Sequence, residues 1–419
     1  MKSTTAGGRR WLLWVLATVM LALQNLEVLT VGALANDLGS NLHISSGQVG
    51  ALFGVYTLFY ALMQLPAGLA FARFSPSILL IWACVLFSVG NVLFAVTDNL
   101  MLAYTGRVIA GVGGGLFFIG YFALTANQFD PLQFATLLGW NQLVKFLLAM
   151  LALALMPVFL SDGGDWRQYF FLLGIVFLPF IPCLWFTRGL VYQPTPNTDL
   201  NWLHGIRKDL GNVWDSTQIR RTVFMGFLGS GSIMAFTGLW YLPFAEAAGY
   251  SHTQADNLGS VLMICTGLGL LGAGWLSDKL RRRKLLLLWG MLGTLFCTLC
   301  LILWSEPPFV VEALLVALLA IFGGAYLGLL YALIKESVPM SLSSTALGLV
   351  NTAIFGGAAF MQWLPGSLLD LISGSTTRAQ HASIADYQLS LLVYPPCMLV
   401  ALIVGFFCYE TATQTDGTL

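Results

Sequence analysis

Twelve long apolar runs, separated by charged or turn-rich breaks, constrain this chain more than any other feature. They lie near 11–34, 48–70, 77–97, 100–126, 134–160, 167–187, 221–246, 256–278, 285–304, 311–334, 344–370 and 389–409. A helix that crosses a bilayer needs about 20 predominantly apolar residues, and every run reaches that length. Inside hydrocarbon a backbone must satisfy its own polar groups, which leaves helices and closed barrels. Barrel strands would be about ten residues long with alternating polarity, and these runs are longer and uniformly apolar. The expected fold is an all-α membrane protein with twelve transmembrane helices. Composition agrees: 58% of the 419 residues are hydrophobic and 9% are charged, against about 25% charged in soluble domains, which excludes a water-soluble globule. Lys plus Arg and Asp plus Glu both total 19, so net charge points to no nucleic-acid partner and only the placement of charges informs.

Charge placement predicts the topology. The N-terminus and the even-numbered loops carry fifteen basic residues: Lys2, Arg9, Arg10, Arg73, Arg188, Arg207, Lys208, Arg220, Arg221, Lys279, Arg281, Arg282, Arg283, Lys284 and Lys335. The opposite loops carry Arg167 and Arg378. Positive charge stays on the cytoplasmic side, so both termini are expected there, in a multi-pass protein of the cell inner membrane. The apolar run after Arg10 continues past the roughly 7 to 15 residues of a cleaved signal peptide and is read as the first span. The longest connection divides the chain into a bundle over 1–187, a linker over 188–220 and a second bundle over 221–419. Within the linker, Pro194 to Asn197 reads as irregular, and residues 199–215 place apolar side chains at helical spacing, as in a short surface helix.

The two halves share a pattern. Ser45, Gln48, Gly68 and Arg73 recur as Ser251, Gln254, Gly274 and Lys279, each 206 residues later. Each Ser-x-x-Gln falls where a helix starts and has the spacing of a capping box, and the shared distance to a glycine and a cation indicates a duplicated six-helix unit. The bundles are expected to be pseudo-symmetric.

At Gly274-Trp275-Leu276-Ser277-Asp278-Lys279-Leu280-Arg281-Arg282-Arg283 the chain resembles the loop signature of the major facilitator superfamily. The first-half copy, Gly68 to Arg73, has Ala72 where the acid is expected. Arg107 to Gly113 resembles that superfamily's fourth-span motif, and Asp165-Trp166-Arg167 its usual start of span six. Tyr60 to Gly68, Gly238 to Pro243 and Gly348 to Asn351 are similar to the branch of organic-anion and metabolite importers. The drug-antiporter signature, a glycine ladder ending in Gly-Pro, is missing from 134–160, and so is the nitrate signature from spans five and eleven. The resemblance implies a transporter, not an enzyme, with a cytoplasmic gate at Gly68, Arg73, Gly274, Asp278, Lys279 and Arg282, and a pathway lined by spans one, two, four, five, seven, eight, ten and eleven.

An ionised side chain in hydrocarbon costs several kcal/mol on most scales and normally has a task. Three are assigned to spans: Glu27, Arg107 and Lys145. At about 1.5 Å per residue, Glu27 and Arg107 fall in the outer part of the bilayer and Lys145 near its middle, so one shared cavity is expected. Glu27, read as the only acid within a span, is the candidate for proton coupling with Arg107. The alternatives are a latch between spans one and four and direct cation binding. Two cations against one acid favour an anionic or zwitterionic substrate. Lys145, Asn141, Tyr60, Tyr56, Asn25, Gln24, Trp240, Tyr241, Tyr331 and Asn351 are the candidate substrate-binding residues; each alone is also compatible with packing between helices.

The remaining features add no chemistry. The seven cysteines lie in apolar runs and read as reduced, the four histidines are scattered in loops, and the glycine clusters near 111–115 and 267–274 lie in spans rather than after a strand. No metal or cofactor is expected. The functional expectation is a monomeric secondary transporter of a small organic anion or zwitterion, in contact with lipid and driven by protons in symport. A proton-driven exporter of metabolites or drugs and an uncoupled facilitator remain open.

Overall fold

The computed structural model describes residues 4–411 apart from 72, 130, 162–163, 189–201, 305–306, 340–341 and 375–381. Ala72, the linker stretch Pro194 to Asn197 and Arg378 lie outside the described residues. Among the described residues twelve helical spans follow one another, and no strand occurs. Eleven are long and apolar enough to cross a membrane by themselves, and in the fifth the described apolar stretch is Trp140–Met156. The chain forms two compact units, Met1–Leu42 with Leu52–Thr198 and His43–Ala51 with Asp199–Leu419.

In the first unit span one is Thr4–Leu29, span two Ser46–Phe71, span three Pro76–Val96, span four Leu100–Gln128, span five Pro131–Ser161 and span six Trp166–Thr187. Polar side chains close the helix starts. The Asn99 carbonyl oxygen accepts from the Met101 and Leu102 amides at 2.9 and 3.2 Å, and Asp165 accepts from the Gln168 amide at 2.8 Å. Such caps satisfy amides that have no helical partner. Span one packs on spans four and five, and span three on spans four and six. The contact between spans two and four is close because of glycine: a methyl group on Gly111 would sit 2.6 Å from the Tyr56 carbonyl oxygen.

In the second unit span seven is Thr217–Ala247, span eight His252–Leu280, span nine Arg283–Leu303, span ten Phe309–Glu336, span eleven Ser343–Ser373 and span twelve Ile384–Phe406. A helix over Trp202–Asp215 precedes it, as the spacing in the linker predicts, and buries Val213. Span seven is not a regular α-helix, since it contains π turns at Gly226–Ser230 and Phe236–Trp240. The Tyr326 hydroxyl donates to the Met225 carbonyl at 3.0 Å, just before the first of them.

Both Ser-x-x-Gln pairs are reciprocal capping boxes. The Ser45 and Ser251 amides donate to the Gln48 and Gln254 side chains, each at 2.9 Å, and the glutamine amides donate back to the serine hydroxyls at 3.2 and 3.3 Å. The start of span two has a further cap, which explains why His43–Ala51 cluster with the second unit. The Ser46 and Gly47 amides donate to the two carboxylate oxygens of Asp370 at 2.9 and 2.8 Å, a favourable placement of an acid at a helix N-terminus.

Glycines serve close helix contact unevenly. A methyl group on Gly269 would overlap the Ile321 backbone, whereas one on Gly272 or Gly274 would meet nothing within 4 Å. Gly269→Ala should therefore separate spans eight and ten and cost about 1–3 kcal/mol of stability, as overpacking does. Gly272→Ala, three residues along the same helix, should leave the melting temperature of the detergent-solubilised protein unchanged or raised. Equal melting of the two variants would contradict this packing.

Candidate substrate and proton site

In the first unit the fully buried side chains of Glu27 and Arg107 form an ion pair between Oε1 and Nη1. Arg107 Nε also donates to the Leu52 carbonyl at 3.4 Å. The guanidinium is surrounded by aromatic rings, with Tyr56, Phe94, Phe53 and Phe170 centred 4.7, 5.0, 5.2 and 5.3 Å away. A desolvated cation–π contact contributes up to about 2 kcal/mol, so the rings replace part of the lost hydration. The pair is incompletely satisfied: Glu27 Oε2 and Arg107 Nη2 have no hydrogen-bond partner among the described residues. Next to it, the Gln24 amide donates to the Tyr56 hydroxyl at 2.7 Å, and Asn25 donates to the Gln24 carbonyl at 3.4 Å. A methyl on Gly114 would lie 2.6 Å from that hydroxyl, so glycine in span four makes room for Tyr56. Tyr60 stacks on Tyr56 with centroids 6.4 Å apart.

Asn141 and Lys145 lie one turn apart on span five, which packs on span one. Asn141 is buried, and its Nδ2 has no partner among the described residues. Lys145 is half-buried with Nζ 4.5 Å from the centre of the Phe146 ring, and no ion pair or hydrogen bond reaches it among the described residues. The first unit thus joins Glu27, Arg107, Gln24, Asn25, Tyr56 and Tyr60 into one network, and no hydrogen bond or ion pair among the described residues ties Lys145 to it.

The second unit holds its four expected residues in three separate contacts. The Tyr331 hydroxyl donates to Asn351 Oδ1 at 2.6 Å, while Asn351 Nδ2 has no partner among the described residues. Trp240 donates its indole N–H to the Gln362 carbonyl at 2.9 Å, and Tyr241 donates to Glu312 at 2.8 Å. Asp256, buried near the start of span eight, and Glu312 correct the reading of Glu27 as the only acid in a span; Glu312 is 2% exposed, in the first turn of span ten. Its proximity to the end of the apolar run hides its burial from a linear reading. Tyr250, in the loop after span seven, has its phenol pushed up to about 12 by burial and then by the Glu312 charge.

Comparison with known proteins assigns the family. The model of the Major Facilitator Superfamily matches residues 10–242 and 222–417. The chain belongs to that superfamily. It is 24% identical over 403 residues to an uncharacterized transporter, YybO, of Bacillus subtilis, covering 88% of this chain and 90% of the relative. It is 20% identical over 429 residues to a D-galactonate transporter of Escherichia coli, covering 95% and 96%. Among solved structures, a bacterial homologue of the human lysosomal transporter Spinster shares the fold with a TM-score of 0.75 at 17% identity, covering 98% of this chain and 99% of that one. The protein is a superfamily transporter of small molecules and not an enzyme.

The superfamily's loop signature is built around a residue that the motif alone does not single out. Span eight ends at Arg281, a non-glycine residue in the left-handed region (φ 51°), and the sharp turn brings Arg283 back onto the helix it follows. Arg283 Nη2 lies 2.5 Å from Asp278 and 3.0 Å from Glu336, and Nη1 reaches the Ser277 hydroxyl. Its backbone amide and that of Lys284 donate to the Glu410 carboxylate at 2.7 and 3.1 Å. Lys284 Nζ donates to the Phe406 carbonyl at 2.7 Å, Gln218 and Tyr409 exchange two hydrogen bonds at 3.2 and 3.3 Å, and Thr411 donates to Glu336 at 2.6 Å. Residues 406–411 are thereby clasped by spans seven, nine and ten. The expected gate cations Lys279 and Arg282 are exposed, Lys279 above the Trp275 ring. Gly68 and Gly274 have open space around them, and Arg73 is half-buried just after span two.

Arg283 should therefore carry more stability than the acid of the signature. Asp278 is 67% exposed and Glu336 is 21% exposed. Arg283→Gln should cost about 2 kcal/mol, since hydrogen bonds to charged groups contribute about 1.5–3 kcal/mol each. Asp278→Asn should cost less than about 1 kcal/mol, as exposed pairs do. Thermal unfolding followed by tryptophan fluorescence measures both, and a larger loss in Asp278→Asn would reverse the ranking.

Proposed function

We propose that this transporter is a proton-coupled symporter that brings a small organic anion into the cell, with Glu27 carrying the proton and Arg107 and Lys145 attracting the substrate. The ion pair buried without full satisfaction carries the reading. Burying two charges costs free energy that their attraction only partly offsets, and an intramembrane pair left short of partners is suited to a cycle in which the pair opens. Protonation of Glu27 neutralises one side and frees Arg107, whose Nη2 has no hydrogen-bond partner among the described residues, to donate to a carboxylate. Proton and anion then bind together, and release of the anion returns Arg107 to Glu27. Lys145 adds a second cation, with no ion pair among the described residues, so Arg107 and Lys145 place two positive groups against the one carboxylate of Glu27. The D-galactonate transporter among the relatives handles a sugar acid, which supports an anionic substrate. The concentration of Lys and Arg at the end where the chain begins supports a cytoplasmic location for both termini in the cell membrane.

Proteoliposomes test the coupling. With galactonate and related sugar acids as probes, an acidic outside should drive accumulation, whereas accumulation driven by an acidic interior would identify an antiporter. Glu27→Gln should abolish gradient-driven accumulation yet keep exchange of external for internal substrate, because the amide imitates the protonated carboxyl. A Glu27→Gln protein that still concentrates substrate would remove Glu27 from the coupling role.

Lys145 has its own test. Loss of a charge-assisted contact of about 1.5–3 kcal/mol raises a dissociation constant about tenfold to a hundredfold, and Lys145→Ala should do so. Lys145→Arg should keep part of the affinity, with changed geometry because the guanidinium is planar. Binding and melting temperature are measured on the same preparations. A destabilised Lys145→Ala protein with native affinity would make the lysine structural.

A further inference from the structure

We infer that Glu312 is a second proton-exchange site, in the second unit, with the Tyr241 hydroxyl as the group whose approach favours release of the proton. The inference rests on the proton-coupled reading above but concerns a different residue. Glu312 is 2% exposed, and no Lys, Arg or His forms an ion pair with it among the described residues. Its described polar contact is the Tyr241 hydroxyl at 2.8 Å. Glu27 is tied to its charged form by Arg107, whereas Glu312 has no such tie. A carboxyl buried beside a hydroxyl and away from cations can hold a proton on one oxygen while the other accepts the Tyr241 O–H.

The groups around it are few. Tyr241 comes from span seven and Tyr250 from the loop that follows, where the Tyr250 hydroxyl donates to the Pro307 carbonyl at 2.5 Å, just before span ten. On span eight, Asp256 is buried near the same end, and at the helix start His252 pairs with Glu246 of span seven. On span eleven, Asp370 is engaged by the Ser46 and Gly47 amides. None of these supplies Glu312 with a cation.

Span seven provides the means of release. Tyr241 directly follows the π turn Phe236–Trp240. A π turn holds one residue more than an α turn, so its conversion to α geometry advances the register by one residue and turns the following side chains by roughly 100°. That rotation withdraws the Tyr241 hydroxyl from Glu312. A carboxylate left without that donor is less stabilised, so Glu312 takes a proton from water and holds it as the neutral acid. The reverse rotation brings the hydroxyl back to donate to the carboxylate, and the proton passes to water. Trp240, in the same turn, holds the Gln362 carbonyl of span eleven at 2.9 Å, so movement of span eleven is transmitted to this turn.

Infrared spectroscopy of the reconstituted full chain, recorded as difference spectra between acidic and alkaline buffer, tests the assignment through the C=O stretch of protonated carboxyl groups. Native protein should show a buried-carboxyl band that disappears in Glu312→Gln, shifts to higher frequency in Tyr241→Phe because a hydrogen bond is lost, and persists in Glu27→Gln. A band unaffected by Glu312→Gln, or absent from native protein, would overturn the inference. In transport, a rate that requires a protonated group falls by up to about tenfold per pH unit on its alkaline side. Glu312→Gln should flatten that slope at least about threefold, and Tyr241→Phe should displace it. A Glu312→Gln profile superimposable on the native one would make the carboxyl a fixed structural hydrogen bond and also overturn the inference. If Glu312→Gln does not fold, the band shift and displaced profile of Tyr241→Phe decide. Failure of the Glu27 reading is separate, because it shows as retained accumulation in Glu27→Gln while the Glu312 band remains testable.

Discussion

Hydrocarbon offers a peptide group no hydrogen-bond partner, and the architecture of this transporter follows from that deficiency. Every span must close its own backbone ladder, so the chain is helical throughout the described spans. Since lipid tails are as apolar as leucine, the helices gain little from burying apolar side chains against one another and rely on close packing. Glycine supplies it where backbones meet, as at Gly111 against Tyr56 and Gly269 against Ile321. Polar caps do the corresponding work at the helix starts, where amides run out of partners. The capping boxes at Ser45 and Ser251 repeat the same solution in each unit.

The same absence of solvent sorts the charged side chains by the company they keep. Arg107 has a carboxylate and four aromatic rings, Arg283 has two acids and a hydroxyl, and Lys145 has, among the described residues, the Phe146 ring and no ion pair. The Arg107 pair is enclosed, the Arg283 cluster lies near the end of its unit, and Lys145 is held on one helix face. Their differing degrees of satisfaction separate residues suited to hold structure from residues suited to change partners.

Much of this was legible in the sequence. Span number, duplication and capping follow from periodicity and from four recurring residues, and the loop signature pointed to the superfamily. Counting depth along two helices put Glu27 and Arg107 at a similar level, and their pairing is what the structure adds. Three things were not legible. Glu312 sits one turn inside its helix, and depth alone does not reveal that neighbours cover it. The importance of Arg283 over Lys279 and Arg282 depends on the left-handed turn at Arg281, which a run of four basic residues does not announce. The π turns of span seven were hidden too, since a run of apolar residues with glycine carries no mark of where one extra residue is accommodated.

The clasp around residues 406–411 has a consequence for the order in which the protein is assembled. Arg283 and Glu410 are separated by 127 positions, and a ribosome makes the chain from the N-terminus. While spans nine to eleven emerge and enter the membrane, the first amides of span nine lack their carboxylate, and Glu336 lacks the Thr411 hydroxyl. These bonds form only once span twelve is in place. The end of the second unit that carries the loop signature is therefore closed last, by a segment that must be synthesised after every helix it fastens.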